Sequence, residues 1–440
     1  MRAFTLIWSG QMVSFMGTAM TQFALLIFVW TKTHQATATV LLAFFQFVPL
    51  LVATPIAGAY VDRWNRKKAM IISDLIAGLG SVAILLLFSA DVLEVWHLYI
   101  IGLIVGAFNA FQWPAFSATI TLLIDKKHYA RASGMMGLTE GASMIFGPPL
   151  AAVLIVTVGI QGVLLVDIVT FTYAIGILLL ILIPQPPPPK EEEEPKSIWK
   201  DSIFGFKYIY ARRPLLLLVF VFFMYNFFAT FATEIFGPMI LARTGDNEVI
   251  LGGVMSALGI GGLLGGITIA VWGGPKKKIN GLLGGMVLAG FGGLAAFPAS
   301  PIAWALGGFL FMFLSPMVNG CSQAIWQSKT APGVQGRVFA ARRFVAQISG
   351  TVGLLLVGPL VDFVFEPGFD VGGSMAGLVS WFVAPGPGVG MAVVVFLAIA
   401  LSSIVALIAY FVRDVRNIEE ILPDFDAEKE SEKEKKDQGH

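Results

Sequence analysis

Four carboxylates lie inside long apolar stretches of the chain: Glu140, Asp167, Glu234 and Asp362. A charge deep in a bilayer costs about a few kcal/mol, so each is a functional candidate by default. Apolar surroundings favour the neutral form of a carboxyl group, so such a group can take up and return protons as its surroundings change. Glu140 lies about nine residues into its stretch, closest to the middle, and is the first choice as a proton carrier. Glu234 is second, because Asn226, Thr230 and Thr233 make its helix polar. Asp167 and Asp362 fall nearer the ends, where capping or pairing fits at least as well. Asp74 lies only about two turns into its stretch and is expected to join a loop network.

A second set of polar residues could outline a cavity. Gln11, Ser14, Thr18 and Gln22 share one helical face, and Gln46, Asn109, Gln112, Asn226, Asn319 and Gln323 add amides from elsewhere. Phe15, Phe44, Trp113 and Trp326 could line the same space. Amides with aromatics suit a large amphipathic ligand. Each amide taken singly serves equally well as an interhelical hydrogen bond. No Lys or Arg is expected near a span centre. A neutral or cationic compound therefore fits better than an anion such as a sugar phosphate.

The elements that hold these residues follow from composition. Of 440 residues, 56% are hydrophobic and only 13% charged, with a net charge of +1. A soluble chain carries roughly 25% charged residues, so an ordinary soluble enzyme is excluded. The neutral balance argues against nucleic acid as a partner. A span needs about 20 apolar residues. Such stretches fall near 4–30, 39–60, 69–90, 97–120, 132–157 and 161–184, then 214–241, 250–272, 279–299, 302–325, 338–365 and 388–412. The expected fold is therefore an all-α membrane protein of twelve transmembrane helices. With both termini inside, every Lys and Arg except Lys32 and Arg243 falls on the inner side, as positive-inside topology requires.

Composition also marks the domains. Residues 1–184 form the first six-helix bundle and 214–412 the second. Between them, 185–213 open with Pro186 to Pro189 and Glu191 to Glu194, an extended solvated linker. Ile198, Trp199, Ile203, Phe206 and Tyr210 then recur at helical spacing, which predicts an amphipathic helix on the inner membrane surface. The tail 413–440 is dense in charge and is expected to be disordered.

The two halves share landmarks. Gly147-Pro148 follows Arg131 by the same interval as Gly358-Pro359 follows Arg342. The loops Val61 to Lys68 and Val271 to Lys278 both end in a basic cluster. These matches suggest an internal duplication, which is common in secondary transporters.

The stretch Gly58, Asp62, Arg63, Asn65, Arg66, Lys67 resembles the loop motif of the major facilitator superfamily (MFS), with Asn65 replacing the usual second glycine. Asparagine suits a left-handed turn almost as well. Asp62 could cap the next helix, and the basic side chains could pair with carboxylates or helix C-termini of the opposite half. A cytoplasmic gate of Gly58, Asp62, Arg63, Arg66, Lys67, Asp74, Arg131 and Arg342 is the expectation. Ser143, Gly147, Pro148, Ala151 and Ala152 look like a degenerate form of that superfamily's antiporter motif, with small residues in place of three glycines. The superfamily's arginine motif in span four is missing. Phe111 to Ala118 and Gly336 to Arg343 are similar to the bacterial drug:proton antiporter group of macrolide-efflux-type and enterobactin-exporter-type proteins.

The resemblance implies proton-coupled efflux of small amphipathic compounds such as macrolide-type drugs, by alternating access, in a bacterial cytoplasmic membrane. A monomer is expected, working with a small-molecule substrate, protons and the lipid bilayer. The alternatives are a siderophore or lipid exporter on the same fold and a non-transporting scaffold or receptor. Enzyme chemistry is not expected. No phosphate-loop sequence exists, Gly259 and Gly261 lie in an apolar helix without a preceding strand, and His34, His97, His128 and His440 lack metal-site spacing. Cys321 alone makes neither a disulfide nor a thiolate cluster, so no metal and no cofactor is expected.

Overall fold

The structure is a computed structural model, and it describes residues 2–63, 65–125, 128–182, 198–331, 334–370, 372–379, 381 and 383–425. The helices are α1 (Arg2–Thr33), α2 (Ala36–Arg63), α3 (Arg66–Ser89), α4 (Val95–Leu123), α5 (Tyr129–Leu180), α6 (Ile198–Tyr210), α7 (Arg213–Thr244) and α8 (Glu248–Trp272). They continue as α9 (Lys278–Gly293), α10 (Pro301–Lys329), α11 (Gln335–Leu360), α12 (Glu366–Phe369), α13 (Ala376–Val379), α14 (Val389–Phe411), α15 (Arg413–Arg416) and α16 (Ile418–Ile421). No strand occurs among the described residues. The proline-acidic linker and the end of the tail lie outside them.

Eleven helical stretches among the described residues are long and apolar enough to cross a bilayer. One of them, Gly134–Leu180, has 47 residues. At about 1.5 Å per residue it is more than twice the hydrocarbon thickness, so it cannot be one crossing. Gly159 breaks it, with φ 73 and ψ 178, a conformation open essentially to glycine alone. Contacts along α1 show the fold-back. Trp8 Nε1 donates to the Met135 carbonyl at 2.6 Å, and Gly10 packs against Ile177 and Ala174. Further along α1, Gly17 meets Asp167 and Thr170 while Ala19 meets Gly147. The two arms of α5 thus run antiparallel on one neighbour. The expected twelve-helix fold is the observed one, with the break in the gap left between spans five and six.

The outward faces confirm the solvent. Val271, Phe411 and Leu86 are 85%, 74% and 65% exposed, and many other large apolar side chains accompany them. Such a surface suits lipid and not water.

The chain divides into two compact units. The first takes Met1–Lys190, Glu234–Gly259 and Leu354–Ala392, and the second Glu191–Thr233, Ile260–Gly353 and Val393–His440. In the first, Phe4, Ile7, Met70, Phe116 and Leu178 form one core, and Leu25, Val29, Ile84, Leu98 and Leu164 another. In the second, Leu215, Leu218, Leu282, Met286, Ile325 and Trp326 are fully buried together.

Within the second unit, α6 is the helix that its spacing predicts. Gly205 leaves no room for a Cβ beside the Arg337 carbonyl of α11, and Phe206 meets Phe344 edge-on. The segment after α14 is also docked here. Lys329, at the end of α10, is buried, and its Nζ donates to the carbonyls of Glu419 at 2.8 Å and Leu422 at 2.5 Å. Glu419 in turn accepts from the Lys278 and Ile279 backbone N–H groups, capping α9. Lys277 pairs with Glu420 at 2.7 Å, which holds the Glu420 carboxyl below its usual range. That pair is exposed and adds little. The buried Lys329 bonds carry the clasp.

Two outcomes are expected. Gly159→Ala lowers the thermal unfolding temperature of the purified protein, because alanine at this φ and ψ costs about 1–3 kcal/mol. Lys329→Met, which keeps the apolar stem, removes charged hydrogen bonds of about 2 kcal/mol each and also lowers it.

Candidate functional site

The first unit contains a cavity of about 510 Å³ walled by α1, α2, α3, α4 and α5. Gln11, Ser14, Thr18 and Gln22 line it from α1, spaced so that one helical face looks into it. Gln46, Asn109 and Gln112 complete a polar wall, with Phe15, Trp113 and Phe171 as the aromatic part. Gly106 lets α4 approach the Gln46 carbonyl of α2 too closely for any Cβ.

Three acids line this cavity, Asp74, Glu140 and Asp167, and no Lys or Arg does among the described residues. Asp74 and Asp167 are 6% and 5% exposed, whereas Glu140 is exposed. The Asp74 oxygens accept from Gln112 Nε2 at 2.7 Å and Gln11 Nε2 at 2.9 Å. Gln112 Nε2 also reaches Gln11 Oε1 at 2.7 Å, which closes a triangle of one acid and two amides. Asp167 accepts from Ser81 Oγ at 2.6 Å. Both acids are thus held by neutral donors, which orient a carboxylate without supplying a counter-charge. Such a group can change protonation without breaking an ion pair.

Asp74 therefore sits in the cavity and not in the loop network expected of it. A sequence signal did exist: Asp74 and Ser81 are two turns apart on one face of α3. Glu234 is half-buried in α7 and lines neither cavity described here.

The loop motif has a local role where it is described. The side chains of Gly58, Asp62 and Arg63 lie outside the described residues. Asn65 is not left-handed as expected. It is extended (φ −66, ψ 109) and accepts from the Lys68 N–H, so it is the N-cap of α3, the task expected of Asp62. Lys67 Nζ donates to the Leu179 and Ile181 carbonyls at 3.0 and 2.9 Å, closing the C-terminus of α5 in the same unit. Arg131 is exposed near the start of α5.

The small residues of α5 serve close packing. Gly147 meets Ala19 of α1. Ala151 and Ala152 are fully buried, and the turn from Pro148 to Ala152 receives Gly252 of α8. Ser143 lines the cavity and donates to the Thr139 carbonyl. Ser256 Oγ of α8 donates to the Ile145 carbonyl at 3.1 Å, next to Gly259, where a Cβ would fall 2.9 Å from Ile145 Cα.

At the end of the first unit away from Asn65, two contacts join segments distant in sequence. Asp362 accepts from the backbone N–H groups of Ala36 at 2.9 Å and Thr37 at 2.8 Å. It caps α2 from a π-helical turn, Val361–Phe365, with Gly358 admitting Thr37. Trp30 Nε1 donates to Asp246 at 2.8 Å.

The second unit contains a smaller cavity, about 260 Å³, lined by Asn226, Asn319, Gln323, Arg342 and Arg343 among others. The expected amides thus divide between two cavities. The second holds arginines, contrary to the expectation of no basic residue. Arg342 lies two turns into α11, far enough to leave the loop.

A multi-pass bundle of membrane-crossing helices with polar cavities among them is the architecture of a solute transporter. The family model of the Major Facilitator Superfamily matches residues 7–354, and this chain belongs to that family. It is accordingly a transporter and not an enzyme. The chain is 26% identical over 367 residues to macrolide efflux protein A of Streptococcus pyogenes, covering 82% of this chain and 89% of that protein. It is 27% identical over 335 residues to the multidrug efflux pump Tap of Mycolicibacterium fortuitum, covering 72% and 78%. Among solved structures, an inward-facing bacterial homologue of the human lysosomal transporter Spinster matches with TM-score 0.67 at 14% identity, covering 94% of this chain and 96% of that one. A POT family transporter in complex with 5-aminolevulinic acid matches with TM-score 0.67 at 12% identity, covering 93% and 96%. These two show the fold.

Asp362→Ala is expected to lower stability by about 1 kcal/mol, the usual worth of an N-cap. Asp362→Asn, which keeps one acceptor oxygen, is expected to lose less. Thermal unfolding of the two purified variants checks the order.

Proposed function

We propose that the chain is a proton-coupled exporter of amphipathic neutral or cationic compounds, macrolide-type drugs among them. It works by alternating access in a bacterial cytoplasmic membrane with both termini inside. The observation that carries this reading is the cavity of the first unit, where buried Asp74 and Asp167 and the exposed Glu140 face one space with no basic neighbour among the described residues. The macrolide and multidrug efflux proteins among its relatives support the substrate class.

The proposed cycle needs only proton uptake and release. A carboxylate of the cavity attracts a cationic or dipolar substrate from inside. When the cavity faces outside, a proton takes the carboxylate, the attraction ends and the substrate leaves. Return to the inside releases the proton. Asp74, with its fixed amide partners, and Asp167 join Glu140 as the cavity groups that carry the exchange, and Glu234 of α7 is a coupling candidate outside that cavity. The bonds of Asp362 to α2 and of Trp30 to Asp246 break and reform once per cycle, so Asp362 acts as a latch as well as a coupling candidate.

The test is a drug-susceptibility panel in a pump-deficient bacterial host, with and without an uncoupler. Raised resistance to several unrelated compounds, abolished by the uncoupler, is the expected result. Asp74→Asn and Asp167→Asn should each lose that resistance while remaining in the membrane at normal levels. Resistance that survives the uncoupler, or wild-type export by Asp74→Asn, Asp167→Asn, Glu140→Gln and Glu234→Gln alike, overturns the proton reading. No resistance to any compound transfers weight to a siderophore or lipid substrate or a non-transporting role.

A further inference from the structure

We propose that the cavity of the second unit is a binding site for an anionic group, a carboxylate or phosphate carried on a partly apolar molecule. This goes beyond the export reading and does not need it.

Arg342 is the centre of the argument. A guanidinium keeps its proton at any physiological pH, so the charge is permanent. The side chain is half-buried, and its Nη1 atom is buried without a hydrogen-bond partner. Its neighbours are two ring faces, Trp326 at 5.5 Å and Phe339 at 6.0 Å. No acidic side chain lines the cavity among the described residues, and none there pairs with Arg342. A buried charge without a counter-charge is costly, and ring faces offset only part of that cost.

The other lining residues sharpen the ligand. Arg343 adds a second, exposed positive charge at the cavity wall. The Gln323 side chain makes no hydrogen bond with the described residues, so its amide can donate to an anion beside Arg342. Asn226 donates one amide N–H to the Phe222 carbonyl at 2.7 Å, and Asn319 Nδ2 donates to the Ser315 carbonyl and hydroxyl at 3.0 and 3.2 Å. Their oxygens remain as acceptors for a ligand hydroxyl. Phe222 and Phe339 offer the apolar contact. Donors, acceptors and rings in one small space fit an acid with an aromatic or alkyl portion, and a planar bidentate contact to Arg342 is the natural anchor. The charge pattern is opposite to that of the first unit's cavity, so the two do not select the same group.

The shared chemistry has two sources, a soluble organic anion and the headgroup of an anionic lipid. The test uses the purified full chain in detergent at fixed ionic strength, titrated calorimetrically with benzoate and phenyl phosphate, with benzamide as the neutral control. Saturable binding of both anions and none of benzamide is expected. Arg342→Gln should weaken it by about ten- to a hundredfold, the worth of a charged hydrogen bond. Arg342→Lys should keep part of it, since the charge stays and the fork is lost. Gln323→Leu gives a second readout should Arg342→Gln fail to fold. Equal binding of benzamide, unchanged binding by Arg342→Gln, or unchanged binding by Gln323→Leu where Arg342→Gln does not fold, overturns the proposal. Repeating the titration in nanodiscs of phosphatidylcholine, with and without phosphatidylglycerol, separates the sources. Benzoate displaced by phosphatidylglycerol assigns the site to a lipid headgroup, and benzoate binding unaffected by it assigns the site to a soluble anion.

Discussion

Hydrocarbon offers no hydrogen bonds, and that one constraint shapes this molecule. Every backbone amide within the bilayer must be satisfied inside the chain, which leaves helices as the spanning element. Polar side chains within the helices face the same demand. Asp74 meets it with Gln11 and Gln112, and Asp167 meets it with Ser81. The polar residues are therefore gathered, because each needs the others. A cavity with a chemical character is the by-product of that gathering.

The same constraint explains the glycines. Without a hydrophobic force between helices in lipid, association relies on close packing and short contacts. Gly17 against Asp167, Gly106 against the Gln46 carbonyl, and Gly252 against the α5 turn at Pro148 each permit an approach that a Cβ would forbid. At Gly17 and Gly106 this closeness brings an acid and an amide to the cavity wall. Gly159 is different: it turns a stretch too long for one crossing into two that share α1.

Polar and charged side chains at the helix ends do a separate task. Asn65, Asp362 and Glu419 cap α3, α2 and α9, and Lys67 and Lys329 close carbonyl ends. Two of the caps, Asp362 and Glu419, come from segments distant in sequence. A cap of that kind holds two segments together only while both stay in place.

Much of this was legible in the residues. Apolar length set the number of spans, and the gap at 158–160 located the turn. The face of Gln11, Ser14, Thr18 and Gln22 was readable from helical spacing alone, as was α6. These are local or periodic properties, and sequence carries them directly. Tertiary structure decided the partners. Asp74 read as a loop residue by its depth, and only the approach of α1 and α4 to α3 gave it two amides and a cavity. Asn65 read as a turn residue, and only its backbone angles made it a cap. Arg342 read as a gate residue, and only the packing of α11 beside α7 and α10 left its guanidinium facing a cavity with no acid among the described residues. Depth along a helix is written in one dimension, whereas the identity of a neighbour depends on which helices touch.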